Sequence, residues 1–401
     1  MSASKSLDRR KFLKSSVTGV AGIFLLGAGG LKQQKTEREK EQKINRRMLG
    51  KTGIELPVVS MGVMNADNPN LVRAALDAGI VHLDTAHGYQ RGRNEEMIGE
   101  VVKGRPRESF VIATKVPGEP RGRGRTLSPE EIGTEFLGKL DISLKRLGLD
   151  YVDILYVHGV RTREAALSPP LLDALARAKK EGKVRFTGVS THSNEPEVLN
   201  AAADSKFYDV VLTAYNFKQG HLREMQEAIG KAADAGIGII AMKTLAGGFM
   251  DAEKQQPVNP KAALKWVLQD PHVTTAIPGF TTFDQLQTDI SVMEDLNLTE
   301  PEKKELQLGA IDGGFYCQGC RQCLGQCPER LPIPDLMRAH MYTYSYKNFA
   351  EARELLLSLD LPGEPCGDCR ECEVKCASGF AVGEKIRDVV RMRDVPGEFF
   401  A

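Results

Sequence analysis

Residues 81–89 read VHLDTAHGY. A short apolar run closes on an acid, Asp84, and opens into a polar loop that carries Tyr89. Working outward, β-like apolar runs of the same kind fall at Val58–Val63, Val81–Thr85, Phe110–Val116, Val152–Val157, Phe186–Ser190, Val210–Ala214, Ile237–Met242 and Thr275–Pro278. Helical patterns lie between them. They are clearest at Asn70–Ala78, Pro129–Leu147, Pro170–Glu181 and Pro260–Gln269, and several begin after Ser, Asn or Asp with Pro in the first turn.

Eight β–α units in roughly 250 residues have the size and order of a (β/α)8 TIM barrel. A doubly wound open sheet would alternate similarly, but no G-x-G-x-x-G follows the first strand, which favours the closed barrel. The whole chain has 401 residues, enough for one large domain and a small one. Its apolar and charged content is that of a soluble globular protein, and a net charge of +1 gives no electrostatic footprint for nucleic acid.

In such barrels chemistry gathers at the C-terminal ends of the strands. Asp84 closes the second strand, Lys115 the third and His158 the fourth, while Tyr89 lies on the loop after Asp84. From Asn45 to about Ile290 the chain resembles the aldo-keto reductases. NRRMLGKTGIELP looks like their N-terminal hairpin, and DTAHGY followed by NEEMIG matches their DTA-x-x-Y segment and its helix. The resemblance implies a catalytic tetrad of Asp84, Tyr89, Lys115 and His158 and a small-molecule carbonyl or alcohol substrate. The residue types suit that chemistry. Tyr89 would be the general acid or base. A free phenol, with a pKa of roughly 10, is a poor donor at neutral pH, and a neighbouring Lys115 cation stabilises its phenolate. Asp84 would hold Lys115 charged and oriented, and His158 would bind the substrate oxygen. The structural alternative is an Asp84–Lys115 ion pair that merely braces the barrel mouth.

The same resemblance implies a nicotinamide dinucleotide, NADP or NAD, held by residues after strands five to eight. Ser190, Thr191, Thr213, Met242, Lys243, Gly247, Gly279 and Thr281 are the expected contacts. Several depart from the family pattern. Thr191 stands where Asn is common, Thr213 where Gln is usual, and Met242 where an aromatic ring stacks on the nicotinamide. Asp289 replaces a typical Asn, and no basic residue stands after strand eight to read a 2′-phosphate. Gly279, Thr281 and Thr282 precede a helix whose first amides suit a phosphate, and Gly247 and Gly248 could admit a phosphate-bearing ligand.

All eight cysteines lie near the C-terminus in two runs, Cys317, Cys320, Cys323, Cys327 and Cys366, Cys369, Cys372, Cys376. Each run reads C-x2-C-x2-C-x3-C. Zinc sites usually take two separated pairs, and disulfides would not need the same spacing twice. The pattern resembles two-cluster bacterial ferredoxins. That resemblance implies two 4Fe–4S clusters, one on Cys317, Cys320, Cys323 and Cys376, the other on Cys366, Cys369, Cys372 and Cys327. Asp335–Leu359 reads as helical with Leu336, Met337, Leu355 and Leu356 as core, and Tyr342, Tyr344, Tyr346 and Phe349 as packing. A helix at Val382–Met392 is expected to close the domain against the barrel. At the other end, Arg9 and Arg10 followed by Phe12, Leu13 and Lys14 look like a twin-arginine export signal, with membrane contact only through an uncleaved segment.

The expected organisation is therefore a signal segment at 1–31, a linker at 32–44, a barrel at 45–300 and a small α-helical, ferredoxin-like iron–sulfur domain at 301–401. The expected function is an exported, periplasmic or cell-envelope oxidoreductase that exchanges electrons through its clusters with a redox partner protein. A flavin is an alternative cofactor, because it accepts single electrons. The alternative function is an exported electron-transfer or scaffold protein with an idle barrel.

Overall fold

The computed structural model describes residues 44–118, 127–251, 254–307, 317, 319, 321–367, 369, 372–377 and 379–400. The segment read as a twin-arginine signal, the linker except Ile44, and Cys320 lie outside them.

Two short strands come first, β1 (Arg46–Met48) and β2 (Glu55–Pro57), paired antiparallel as a hairpin. Eight strands follow in sequence order around one parallel sheet: β3 (Met61–Gly62), β4 (His82–Asp84), β5 (Val111–Pro117), β6 (Val152–His158), β7 (Val184–Thr191), β8 (Val210–Ala214), β9 (Gly238–Met242) and β10 (Val273–Ala276). The sheet returns on itself. A parallel bridge joins Val59 to Ala276, and Ser60 N donates to Ala276 O at 2.8 Å. This is the (β/α)8 order expected, with no free sheet edge to protect.

The intervening helices start where the sequence signals placed them. Ser128 and Glu131 form a reciprocal capping box ahead of Pro129–Leu147, and Asn68 and Asn259 cap the helices Pro69–Asp77 and Pro260–Leu268, each with Pro in the first turn. Their buried faces pack on the outside of the barrel. Inside it, Ile154, Tyr156, Leu212 and Ile240 fill the lumen, and Leu49 and Leu56 of the hairpin pack against them. The hairpin therefore plugs the barrel floor, which leaves the C-terminal mouth as the open end.

Beyond Ala276 the described residues contain helices and no strand. The helices Ile333–Tyr344, Phe349–Ser358 and Val382–Val390 share a core of Leu336, Met337, Leu355, Leu356, Val382, Ile386 and Val389, with Cys323 and Cys327 buried in it. Val382–Val390 turns its buried face into this cluster. Its Lys385 also lies near enough to Lys254 of the barrel to act on its charge, and Ile333–Tyr344 makes further barrel contacts. Asp335 takes a two-pronged ion pair from Arg161, which follows β6, and Arg338 Nη2 donates to Ser193 Oγ at 2.8 Å beyond β7. Among the described residues no helix is long and apolar enough to cross a membrane.

Gly188 on β7 stands opposite Tyr156 on β6, and a Cβ there would lie 2.4 Å from the Tyr156 ring. Gly188→Ala should overpack the lumen and destabilise the fold by about 1–3 kcal/mol. Urea unfolding followed by far-UV circular dichroism measures this, and an unchanged midpoint would mean that Tyr156 moves aside freely.

Candidate active site

Three strand ends and one loop build the mouth of the barrel. Asp84 is the last residue of β4, Lys115 lies near the end of β5 and His158 ends β6. Tyr89 starts a tight turn in which Gln90 and Arg91 both take left-handed backbone conformations, φ 50° and 57°. Non-glycine residues rarely adopt these, so the turn needs support from elsewhere. Gln90 Nε2 supplies some, donating to Met64 O at 3.1 Å and Ala66 O at 3.2 Å.

The Lys115 ammonium is the hub. It is almost fully buried and donates to Asp84 Oδ1, to Thr85 O at 2.7 Å and to the Tyr89 hydroxyl at 3.3 Å. Burial pushes the Asp84 carboxyl up and the Lys115 amine down, and the attraction between the two opposes both shifts. Neither charge survives in this site without the other. Donating to the phenol oxygen, Lys115 stabilises the negative charge left when the Tyr89 proton departs. His158 meets the Tyr89 ring edge-on, with 6.0 Å between centroids.

A second layer locks these groups. Thr85 Oγ1 donates to Asn94 Oδ1 at 2.6 Å, Thr114 Oγ1 to Glu95 Oε1 at 2.7 Å, and Arg146 Nη1 to His87 O at 2.8 Å. Tyr156 lies beneath, fully buried, with its phenol pushed far up by burial and by the Asp84 charge.

All four tetrad residues line one cavity of about 930 Å³. Ser190, Met242, Lys243, Gly247, Gly279 and Thr281 line it too. Thr191 and Thr213 do not. They are buried, and their hydroxyls bond back to Ser193 O at 3.0 Å and Ala214 O at 3.3 Å. Ser190 Oγ accepts from Gly159 N at 2.9 Å, which ties the ends of β6 and β7 together. Lys243 has a left-handed backbone, φ 57°, and reaches into the cavity; burial, with Arg338 adding, pushes its amine down to about 7. His192, beside it, is held well below its ordinary value by burial and by Arg338, and its Nδ1 has no partner among the described residues.

The helix expected to receive phosphate, Phe283–Glu294, is closed from within. Thr282 and Gln285 form a capping box, and Gln285 Oε1 accepts from the Thr281 and Thr282 amides at 2.8 and 3.3 Å. Asp284 adds an acid to its first turn. Asp289 is buried, and burial alone pushes its carboxyl up to about 7.

Sequence reasoning missed one side of this cavity entirely. Tyr342, Ser345, Tyr346, Lys347, Asn348 and Glu351, all from the C-terminal part, line it opposite the barrel residues. Tyr342 lies close enough to Lys115 to act on its charge. Tyr342 lies on the helix Ile333–Tyr344 and Tyr346 just past its end, and nothing in the sequence said that they line the barrel mouth.

The cysteine loops also meet. Lys375 N donates to Gln326 Oε1 at 2.8 Å, which joins the chain just before Cys327 to the chain just before Cys376. The Cys366 thiol is pushed up by burial and then by Cys369, Cys372 and Cys327, so Cys327 of the first run keeps company with the second. Among the described residues Cys327, Cys366, Cys369, Cys372 and Cys376 are free thiols. Among the described residues no three His, Cys, Asp or Glu side chains converge on a point that would hold one metal ion. Gly319, in the first run, abuts Ser193, where a Cβ would come within 2.4 Å.

Comparison with known proteins agrees with this geometry. The family model described as Aldo/keto reductase family matches residues 60–262, about half of the chain. The L-glyceraldehyde 3-phosphate reductase of Escherichia coli (strain K12) is 26% identical over 344 residues, covering 69% of this chain and 95% of that protein. The L-galactose dehydrogenase of Arabidopsis thaliana is 25% identical over 294 residues, covering 63% of this chain and 89% of its own. The holo form of an aldo-keto reductase from Bacillus halodurans superposes with a TM-score of 0.55 at 22% identity, over 69% of this chain and 99% of that one, a likeness of fold.

Because the folded state holds the Asp289 proton more tightly than the unfolded chain does, stability from this residue is lost as pH rises from about 4 to about 7. Asp289→Asn should leave stability unchanged near pH 4 and raise it at pH 8, on the order of 4 kcal/mol. Denaturant unfolding at both pH values measures this, and equal effects at both would contradict the buried acid.

Proposed function

The chain belongs to the aldo/keto reductase family and is an oxidoreductase, and from that premise we propose that it interconverts a small-molecule carbonyl and its alcohol, with Tyr89 as the general acid and base. One observation carries the reading: the Lys115 ammonium bridges Asp84 and the Tyr89 hydroxyl in the cavity at the barrel mouth. In the reduction direction Tyr89 gives its proton to the substrate oxygen, and Lys115 stabilises the phenolate that remains. Asp84 keeps Lys115 charged and aimed. His158, on the opposite side of the Tyr89 ring edge, orients the substrate oxygen. In the oxidation direction the same phenolate receives the alcohol proton.

Members of the family typically use NADP(H). Here the residues suit the nicotinamide end of such a cofactor, where Ser190, Met242 and Lys243 line the cavity and Gly247 and Gly279 leave the backbone accessible. They suit the 2′-phosphate end less well, since Gln285 occupies the helix amides and Asp284 and Asp289 stand nearby in sequence. A nicotinamide dinucleotide without a strong preference for the 2′-phosphate is the reading we adopt, and it would supply a hydride.

We further propose that the cysteine runs hold two 4Fe–4S clusters, one on Cys317, Cys320, Cys323 and Cys376 and one on Cys366, Cys369, Cys372 and Cys327. The neighbours of Cys366 and the Gln326–Lys375 bond support this crossed assignment. A cubane spreads four thiolates over four irons, so its ligands need not meet at one point as those of a single ion do. The clusters would exchange single electrons with a redox partner. The twin-arginine signal at Arg9 and Arg10 fits a protein loaded with clusters before export to the periplasm or cell envelope.

Tyr89→Phe should lower turnover by about 10²–10⁴-fold and leave the cluster EPR signal unchanged. Loss of neither would favour the idle-barrel alternative. Anaerobic reconstitution should load about eight iron atoms per wild-type chain and about four in Cys327→Ala, because the crossed ligand dismantles one cluster only. Equal loading in both would overturn the assignment.

A further inference from the structure

We propose that Tyr156 is a positioning residue of the active site, donating its hydroxyl proton to one enclosed water that in turn donates to Asp84 Oδ2. The inference rests on the oxidoreductase reading of the same site, and adds to it a residue and a solvent position in the barrel lumen.

The lumen below the Lys115 hub is not purely apolar. His82 and Asp84 stand two residues apart on β4, so both point to the same side of that strand. On β5 and β6 the facing positions are Ala113 with Ile154, then Lys115 with Tyr156. Tyr156 is therefore the strand-to-strand neighbour of the catalytic lysine. On its other side, on β7, stands Gly188, whose missing side chain leaves the Tyr156 ring the space it occupies. A ring that only filled this space would need no hydroxyl.

Polar atoms in this stretch of lumen lack protein partners. Lys115 takes Asp84 Oδ1, and Oδ2 is buried with no partner among the described residues. The Tyr156 hydroxyl is fully buried and has none either, nor has either ring nitrogen of His82. These groups are close together, since the Asp84 charge acts on Tyr156 and the Lys115 charge on His82. Buried polar atoms are normally satisfied, so several orphans in one place mark a partner that is not a protein group.

The chemistry of the set selects that partner. Burial and the Asp84 charge keep the Tyr156 phenol protonated, so it is a standing donor. A carboxylate oxygen only accepts. The two are not bonded to each other, so the group between them must accept from one and donate to the other. Water does both and fits a closed lumen. The neutral His82 ring, donor or acceptor according to tautomer, supplies a third partner.

The consequence falls on Lys115. A buried ammonium–carboxylate pair can relax by passing a proton from the amine to the acid, which leaves two neutral groups. A hydrogen bond to the second carboxylate oxygen stabilises the charged acid and opposes this transfer. Lys115 then stays an ammonium beside the Tyr89 hydroxyl. The other titratable groups acting on Lys115 are Glu95 and Tyr342, and His158 meets the Tyr89 ring. None of them bonds Asp84 Oδ2.

Tyr156→Phe removes the hydroxyl and keeps the ring, and three measurements on the full-length, cluster-loaded protein test the inference. A crystal structure fine enough to place waters should show one water in hydrogen-bond reach of both Tyr156 Oη and Asp84 Oδ2. Urea unfolding should show Tyr156→Phe less stable than wild type, whereas loss of a hydroxyl with no partner would be neutral or stabilising. With NADH and 4-nitrobenzaldehyde as probe, reduction falls off at high pH as Tyr89 loses its proton. In Tyr156→Phe this fall should move up by about one pH unit, with kcat about tenfold lower and KM unchanged. A merely structural role would lower the rate at every pH without moving the fall. No water between the two oxygens, a variant at least as stable as wild type, or an unmoved fall overturns the inference. If wild type reduces no carbonyl with NADH or NADPH, the oxidoreductase reading fails alone, and the crystal and urea results still decide this one.

Discussion

A lysine ammonium sealed inside a protein must be met by a carboxylate, and the pairing of Lys115 with Asp84 constrains much of the rest. The two residues sit on neighbouring strands, β4 and β5, so the pair can form only if both strands end at the same level of the barrel. Parallel pairing with Leu83 opposite Ile112 and Asp84 opposite Ala113 sets that level. A slip of one residue would turn one partner out of the mouth and leave a buried charge alone. Tyr89 then becomes reactive because of where Lys115 is held. The second layer of Thr85, Asn94, Glu95 and Arg146 serves the same end, since a proton donor a fraction of an ångström out of place loses much of its effect.

The C-terminal part changes what this mouth is. A bare barrel would open to solvent. Here a helix anchored by Arg161 and Ser193 carries Tyr342 over the catalytic lysine, and the first cysteine loop touches the barrel at Ser193. Cationic groups gather along that seam. Lys243, His192, Arg338 and Arg161 lie near one another and near Cys317, and burial with mutual repulsion pushes Lys243 and His192 toward their neutral forms. The cluster proposed for the first cysteine run would carry negative charge, which the Arg161 and Arg338 guanidiniums favour.

Much of this was legible in the sequence, for physical reasons that differ by residue. Asp84, Lys115 and His158 were readable because they interrupt apolar runs at strand ends, where the fold itself defines position. The helix starts at Pro129 and Pro260, and within one residue at Pro69, are readable because capping is local. The sequence suggests a phosphate for the first amides of the helix Phe283–Glu294, yet Thr282 with Gln three residues on also spells the capping box that the helix uses. The family resemblance puts Thr191 and Thr213 at the cofactor, whereas their hydroxyls turn back on the backbone. Tyr342, Ser345 and Tyr346 could not be placed at all. Their role depends on docking between two parts of the chain far apart in sequence, and that is set by side-chain pairs such as Arg161 with Asp335 that no local pattern announces.

The central claim is that the barrel site and the cysteine runs form one redox unit. It is tested most directly by anaerobic titration of cluster-loaded protein with NADH and NADPH, following the visible absorbance and EPR signal of the clusters, with dithionite as the control. The account predicts bleaching by nicotinamide, with NADH at least as effective as NADPH. Bleaching by dithionite alone would contradict it.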